Sequence, residues 1–320
     1  MTETTETREL LKLNRFGAAM RGTYHKPGGG KYLGREGNAP ARIGMLFLSG
    51  LPSTRAGQGD AAVYFADSLA QKGYPSFRID LPGFGDSEGD PPEDCLRLVN
   101  QGEYAATVSN NIEELAARFS LSGIVLIGHC AGAVSAIYTA AVNKSCKGLV
   151  LIDPYFYAAQ IERKEVRQQL TRWAEHSRTG RVLGNAYGRA KKILLSLCSN
   201  IYPDHANVPL LRCWKQVASS GMPILILNSF RANSPGKQAV AAEFDFLQYV
   251  VGLAGRRSKI TVETIEGANH TFSNRVGRTA VPQHTGQWLQ INFPLLRSDE
   301  SAKRAAYGSN TRKHQYLERL

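Results

Sequence analysis

Six strand-length runs limit what this chain can fold into. They span 43–49, 74–79, 123–127, 148–152, 223–227 and 259–265; those at 43–49, 123–127, 148–152 and 223–227 are almost wholly apolar, and turn-forming residues such as Gly50-Leu51-Pro52 or Asp153-Pro154 follow them. Unbroken apolar runs of this length suit strands buried on both faces of a parallel sheet. Between them, 61–72 and 131–142 carry helical patterns, and 100–119 reads as one long amphipathic helix. This alternation predicts βαβ units: an α/β fold with a mostly parallel central sheet flanked by helices. Ahead of it, 1–12 reads as a frayed end or short helix and 15–24 as a weak strand. The glycine-rich 28–38 reads as a loop or hairpin tip.

The rhythm lapses from 154 to 222. That stretch holds Trp, Tyr and Leu but no clear strand, with eleven Lys and Arg against four Asp and Glu. We expect a core made of 1–153 and 223–297, a helical cap over 154–222, and a charged tail over 298–320. The whole chain has 39 Lys and Arg against 27 Asp and Glu, a formal charge of +12. A hydrophobic fraction of 42% is ample for a core and excludes global disorder. No run reaches the roughly 18 apolar residues of a membrane-spanning helix. The first residues are polar and acidic, unlike a secretory signal, so a cytoplasmic location is expected. The positive balance suits an anionic partner, but no nucleic-acid motif accompanies it. Five cysteines, with no C-x-x-C among them, signal neither a zinc ribbon nor a disulfide framework.

One cysteine is placed unlike the others. Gly128-His129-Cys130-Ala131-Gly132 follows a strand directly and opens a small-residue helix. This is the G-x-S-x-G nucleophile-elbow pattern with sulfur in place of oxygen. So sharp a strand-to-helix turn forces its central residue into a strained conformation and needs tiny residues two before and two after. The side chain is lifted clear of the sheet, and the N–H groups and positive dipole end of the next helix point at it. Such a field favours thiolate.

On these residues the chain resembles the α/β-hydrolase superfamily over most of 40–295. Asp80-Leu81-Pro82-Gly83-Phe84-Gly85-Asp86-Ser87 is similar to the turn after that family's fourth strand. Gly267-Ala268-Asn269-His270-Thr271-Phe272 is similar to its catalytic-histidine loop, and Gln287-Trp288-Leu289 to its closing helix. The resemblance implies Cys130 as nucleophile and His270 as general base. His129 is read as structural. The family's usual acid position, after 223–227, holds no carboxylate. Asp153, after 148–152, or Asn233 as a neutral acceptor are the alternatives for orienting the histidine, with Glu243 and Asp245 further off. The implied oxyanion donors are the N–H groups of Ala131 and Leu51. Arg55, on the same loop as Leu51, either meets an anionic group of the substrate or is a solvated loop arginine.

Sulfur at the elbow makes the covalent intermediate a thioester, which remains reactive toward amines, thiols and enolates. The expectation is therefore acyl transfer, or thioester or ester cleavage, through acylated Cys130, with coenzyme A or a carrier-protein arm as a donor that fits the charge. A carboxylester or lactone hydrolase remains open, as does a catalytically silent binding protein on the same fold. Neither a cofactor nor a metal is implied.

Overall fold

The computed structural model describes residues 7–14, 19–28, 42–157, 202–203, 205–229, 245–255 and 258–295. Eight strands form one sheet: β1 (Arg8–Leu13), β2 (Met20–His25), β3 (Ile43–Leu48), β4 (Ser76–Ile79), β5 (Gly123–His129), β6 (Cys146–Ile152), β7 (Pro223–Ser229) and β8 (Lys259–Ile265). Their order is β1-β2-β4-β3-β5-β6-β7-β8. The pairs β1–β2 and β2–β4 are antiparallel, and the rest are parallel. The described helices are α1 (Ala61–Gln71), α2 (Cys95–Gln101), α3 (Tyr104–Arg118), α4 (Ala131–Val142), α5 (Val208–Ser219), α6 (Phe246–Leu253) and α7 (Arg275–Asn292). None of them is long and apolar enough to cross a membrane. This is the expected three-layer α/β architecture.

The apolar runs are buried on both faces because successive side chains alternate across a strand. Leu46 and Leu48 of β3, Ile124 and Leu126 of β5, Leu149 and Leu151 of β6, and Ile224 and Ile226 of β7 pack against α3, α4 and α5. The intervening Met45, Phe47, Val125, Ile127, Val150, Ile152, Leu225 and Leu227 join the opposite core, to which α1 and α7 contribute Phe65, Leu69, Trp288 and Leu289.

Three elements differ from the sequence reading. Residues 8–13 form an edge strand, because antiparallel pairing with β2 buries Leu11 and Leu13 and leaves Leu10 outside. A six-residue run of this composition fits either period, and only the partner decides. The predicted helix over 100–119 forms as α3 but starts later, because residues 100 and 101 close a separate helix, α2. Asp94 caps α2 by accepting from Arg97 N, and Gly102, at φ 78°, ends it. Helix α5 falls inside the expected cap, yet it lies against α4 with Leu210, Leu211, Trp214 and Val217 buried in the core. The 28–38 loop beyond Gly28, residues 158–201 of the expected cap, Asn233, Glu243 and the 298–320 tail lie outside the described residues.

The antiparallel side of the sheet carries a buried polar cluster that the sequence did not announce. His25 is fully buried; its Nδ1 sits 2.7 Å from Asp67 Oδ1, and its Nε2 accepts from Arg78 Nε at 2.8 Å. A guanidinium can only donate, so Nε2 carries no proton and the ring is neutral. Burial, helped by the positive charges of Arg78 and Arg8, outweighs the upward pull of Asp67 and holds His25 down to about 4. An unfolded histidine titrates near 6.5. Between those values only the unfolded chain takes up the proton, so this stability is fully present above pH 6.5 and is lost as pH falls toward 4. We expect a loss of up to about 3 kcal/mol across that window. His25→Gln keeps a donor for Asp67 and an acceptor for Arg78 but does not titrate. Urea denaturation from pH 7 to 4.5 should show a flatter acid limb for this variant; equal slopes would refute the assignment.

Candidate active site

The parallel strands β3, β5, β6, β7 and β8 all end at one edge of the sheet, where α/β folds collect their ligands. Cys130 follows β5 there, with φ 51° and ψ −111°. A non-glycine residue in that region is strained by about 1–3 kcal/mol, and it persists because its surroundings over-determine it. Cys130 N donates to Ile152 O of the adjacent strand at 2.9 Å, while Cys130 O accepts from Ala133 N and Val134 N at 3.1 and 3.3 Å. The residue is thereby tied to the sheet on one side and to α4 on the other. Cys130 is partly exposed.

The loop after β3 closes on the elbow from the other side. A Cβ added to Gly50 would lie 3.4 Å from Cys130 Cβ, so Gly50-Leu51 runs beside the nucleophile position. Ala131 opens α4, where first-turn N–H groups have no intrahelical acceptor. Ala131 follows Cys130 directly in the chain, and Gly50, the neighbour of Leu51, lies beside it.

His270 stands on a loop built by its neighbours. Asn269 accepts from Phe272 N through its main chain and from Ser273 N through its side chain, at 2.9 and 3.0 Å. Asn274 donates to Gly267 O at 2.7 Å and caps α7 by accepting from Gly277 N. Phe272 is fully buried and anchors the turn. His270 Nδ1 lies 2.8 Å from Asp153 Oδ2. Asp153 is itself buried, and it accepts from Ser229 N at 2.8 Å and Ser229 Oγ at 2.6 Å. An ionised carboxylate only accepts, so Nδ1 of His270 carries the proton and Nε2 is the basic nitrogen.

Of the residues proposed to orient the histidine, Asp153 and Asp245 are among the described residues, and Asp153 is the one that lies against His270. Asp245 instead caps α6, accepting from Gln248 N at 2.9 Å. Ser229, at the end of β7, escaped the sequence reading. The only hint was that the strand usually supplying an acid ends here in Asn228-Ser229, with hydrogen-bonding groups but no charge. His129 donates from Nε2 to the main-chain oxygen of His270 at 2.8 Å, and so fastens the histidine loop to the elbow.

Arg55 is engaged elsewhere than with a ligand. Its guanidinium pairs with the fully buried carboxylate of Asp80 and, at 2.8 Å, with Asp86. Its Nε donates to Thr23 Oγ1 at 3.2 Å, and its main-chain N donates to Asp80 Oδ1. Arg55 therefore fastens the loop after β3 to the 80–87 turn, and two carboxylates already neutralise its charge. Sequence shows the loop position but not these partners, which lie 25 and 31 residues away.

A family model for the alpha/beta hydrolase fold matches residues 45–178. No curated protein matches the sequence. Solved structures match over nearly the whole chain. A protein named DcsB, in complex with its substrate analogue, is 16% identical with a TM-score of 0.55, covering 89% of this chain and 99% of its own. A Pyrococcus furiosus esterase is 12% identical with a TM-score of 0.56, covering 89% and 90%. An N-acyl homoserine lactonase, in complex with N-hexanoyl homoserine, is 15% identical with a TM-score of 0.51, covering 91% and 99%. At such identities the shared property is the fold: this chain has the α/β-hydrolase fold.

Proposed function

We propose that the protein cleaves or transfers acyl groups through a covalent intermediate on Cys130. The observation that carries this reading is the His270–Asp153 hydrogen bond of 2.8 Å, on a loop that His129 ties to the elbow. In this mechanism His270 Nε2 takes the thiol proton, and the thiolate attacks the carbonyl carbon of an ester or thioester. The new C–S bond forms a tetrahedral intermediate whose oxyanion is met by the N–H groups of Ala131 and Leu51. The bond to the leaving alkoxide or thiolate then breaks, and the leaving group departs with the proton from the imidazolium. Water or another nucleophile enters, gives its proton to His270 and attacks the thioester; the Cys130–acyl bond breaks and the thiol is restored.

Activated donors fit best, because the intermediate is itself a thioester and close in energy to a thioester substrate. Coenzyme A and carrier-protein thioesters belong to this class, as do carboxylesters and lactones. Arg55 is left out of this mechanism, since its guanidinium pairs with Asp80 and Asp86.

Intact-mass spectrometry tests the reading. The protein is mixed with the hexanoyl thioester of N-acetylcysteamine and quenched in acid. A mass gain of one hexanoyl group is expected, and it should be absent from Cys130→Ala. No adduct across a panel of acyl thioesters and aryl esters, or an adduct that survives Cys130→Ala, would overturn the proposal.

A further inference from the structure

The two edges of the sheet are finished differently. At one edge, β1 uses its charges within the chain: Arg8 pairs with Asp67, and Glu9 meets Lys26 at 3.7 Å and Arg118 at 4.0 Å. At the other, β8 pairs with β7 along all seven residues, and among the described residues no strand lies on its outer side. A strand edge carries a row of main-chain N–H and C=O groups, a template for a further strand, which proline, bulges or concentrated charge normally blunt. β8 reads Lys-Ile-Thr-Val-Glu-Thr-Ile: it has no proline or glycine, its register is unbroken, and its β-branched residues favour extended backbone. Lys259, Thr261, Val262 and Thr264 are exposed.

The two charges of this strand lie on one face and are self-complementary. Lys259, Thr261 and Glu263 continue the rows of Pro223, Leu225 and Leu227 on β7, while Ile260 and Val262 continue Ile224 and Ile226 on the opposite face. A twofold axis normal to the sheet sets two copies of β8 antiparallel and keeps each face on its own side. With the axis through Thr261, Lys259 of each copy falls opposite Glu263 of the other, and Ile260 falls opposite Val262. Opposed side chains on one face of an antiparallel pair interact directly, and opposite charges there are favourable. Other registers lose this match. With the axis through Val262, Lys259 faces Ile265 and Glu263 faces Thr261; with the axis through Ile260, Lys259 faces Thr261. Within its own chain Glu263 stands 4.0 Å from His284, a long contact at a half-exposed carboxylate.

We propose that β8 is the interface of a symmetric homodimer, in which two copies pair antiparallel about Thr261 and the two sheets become one. The occupant of the edge is a second copy of this chain, because the partner sequence that matches Lys259 and Glu263 in sign and spacing is β8 itself. The axis turns the second sheet end for end, so the two Cys130 elbows open at opposite edges of the joined sheet. The proposal stands apart from the reading of Cys130 as nucleophile and is tested without it.

Sedimentation velocity of the full chain, from about 2 to about 200 μM, reads the association, since a contact of one strand edge belongs with the small, weak interfaces. Wild-type protein should pass from monomer toward dimer across that range. Lys259→Glu and Glu263→Lys each place like charges opposite one another at both ion pairs, and each should weaken the dimer by about ten-fold or more. Mixed in equal amounts, the two variants should associate again, within about three-fold of wild type, because one copy then presents two carboxylates to the two ammonium groups of the other. Recovery on mixing also shows that both variants are folded. A wild type that stays monomeric throughout, a single variant that dimerises as tightly as wild type, or a mixture that stays monomeric would each overturn the proposal.

Discussion

Asp153→Asn should lower the rate of Cys130 acylation by about 10²–10³-fold while leaving the protein folded. Asp153 accepts hydrogen bonds from Ser229 N, Ser229 Oγ and His270 Nδ1. Asparagine offers one accepting oxygen in place of two. If that oxygen stays with Ser229, the amide N–H faces His270 Nδ1. The imidazole must then shift its proton to Nε2, the nitrogen that should receive the thiol proton. The effect should be smaller than for a serine nucleophile, since a thiol ionises more readily by itself. Stopped-flow acylation with the hexanoyl thioester measures the rate, and a thermal melt checks folding. A variant acylating within about three-fold of wild type would remove Asp153 from the mechanism.

That acid also marks how far the sequence could be read. The elbow was legible because its requirements are local: a strand, two tiny residues, and a small-residue helix lie within one stretch of chain. The core was legible for a similar reason, since an unbroken run such as Leu149-Val150-Leu151-Ile152 can only be a strand hidden on both sides. The surroundings of Asp153 were not local. They depend on Ser229, brought alongside by the pairing of β6 with β7, and no spacing in the chain encodes that neighbour. Arg55 shows the same limit from the other direction. A lone arginine on a catalytic loop suggests an anion site, yet the buried carboxylate of Asp80, at the end of β4, takes its charge. His25 was opaque because burial is a property of packing, with no periodicity to announce it.

Gly132→Ala should be the most crowded Gly→Ala change among the described glycines. A Cβ at Gly132 would sit 2.0 Å from Leu48 O, 2.7 Å from Leu48 C and 2.9 Å from Ser49 O. All three are backbone atoms at the end of β3, so no rotamer can relieve the clash. Either α4 lifts from the sheet or the loop bearing Leu51 moves. We expect a cost of about 3–5 kcal/mol, a large part of the net stability of a typical domain. Gly252, in α6, supplies the control: a Cβ there meets nothing within 4 Å. Gly252→Ala should therefore stabilise the protein by roughly 0.5–1 kcal/mol through helix propensity alone. Urea denaturation of the two variants reads opposite signs for the same chemical change. Any Gly132→Ala protein that remains folded should also acylate Cys130 slowly, because the shift that relieves Leu48 displaces the Leu51 N–H from the oxyanion. If Gly132→Ala proved as stable and as active as wild type, the close contact between the β3 loop and the elbow would be wrong, and the proposed role of Leu51 in an oxyanion hole would fall with it.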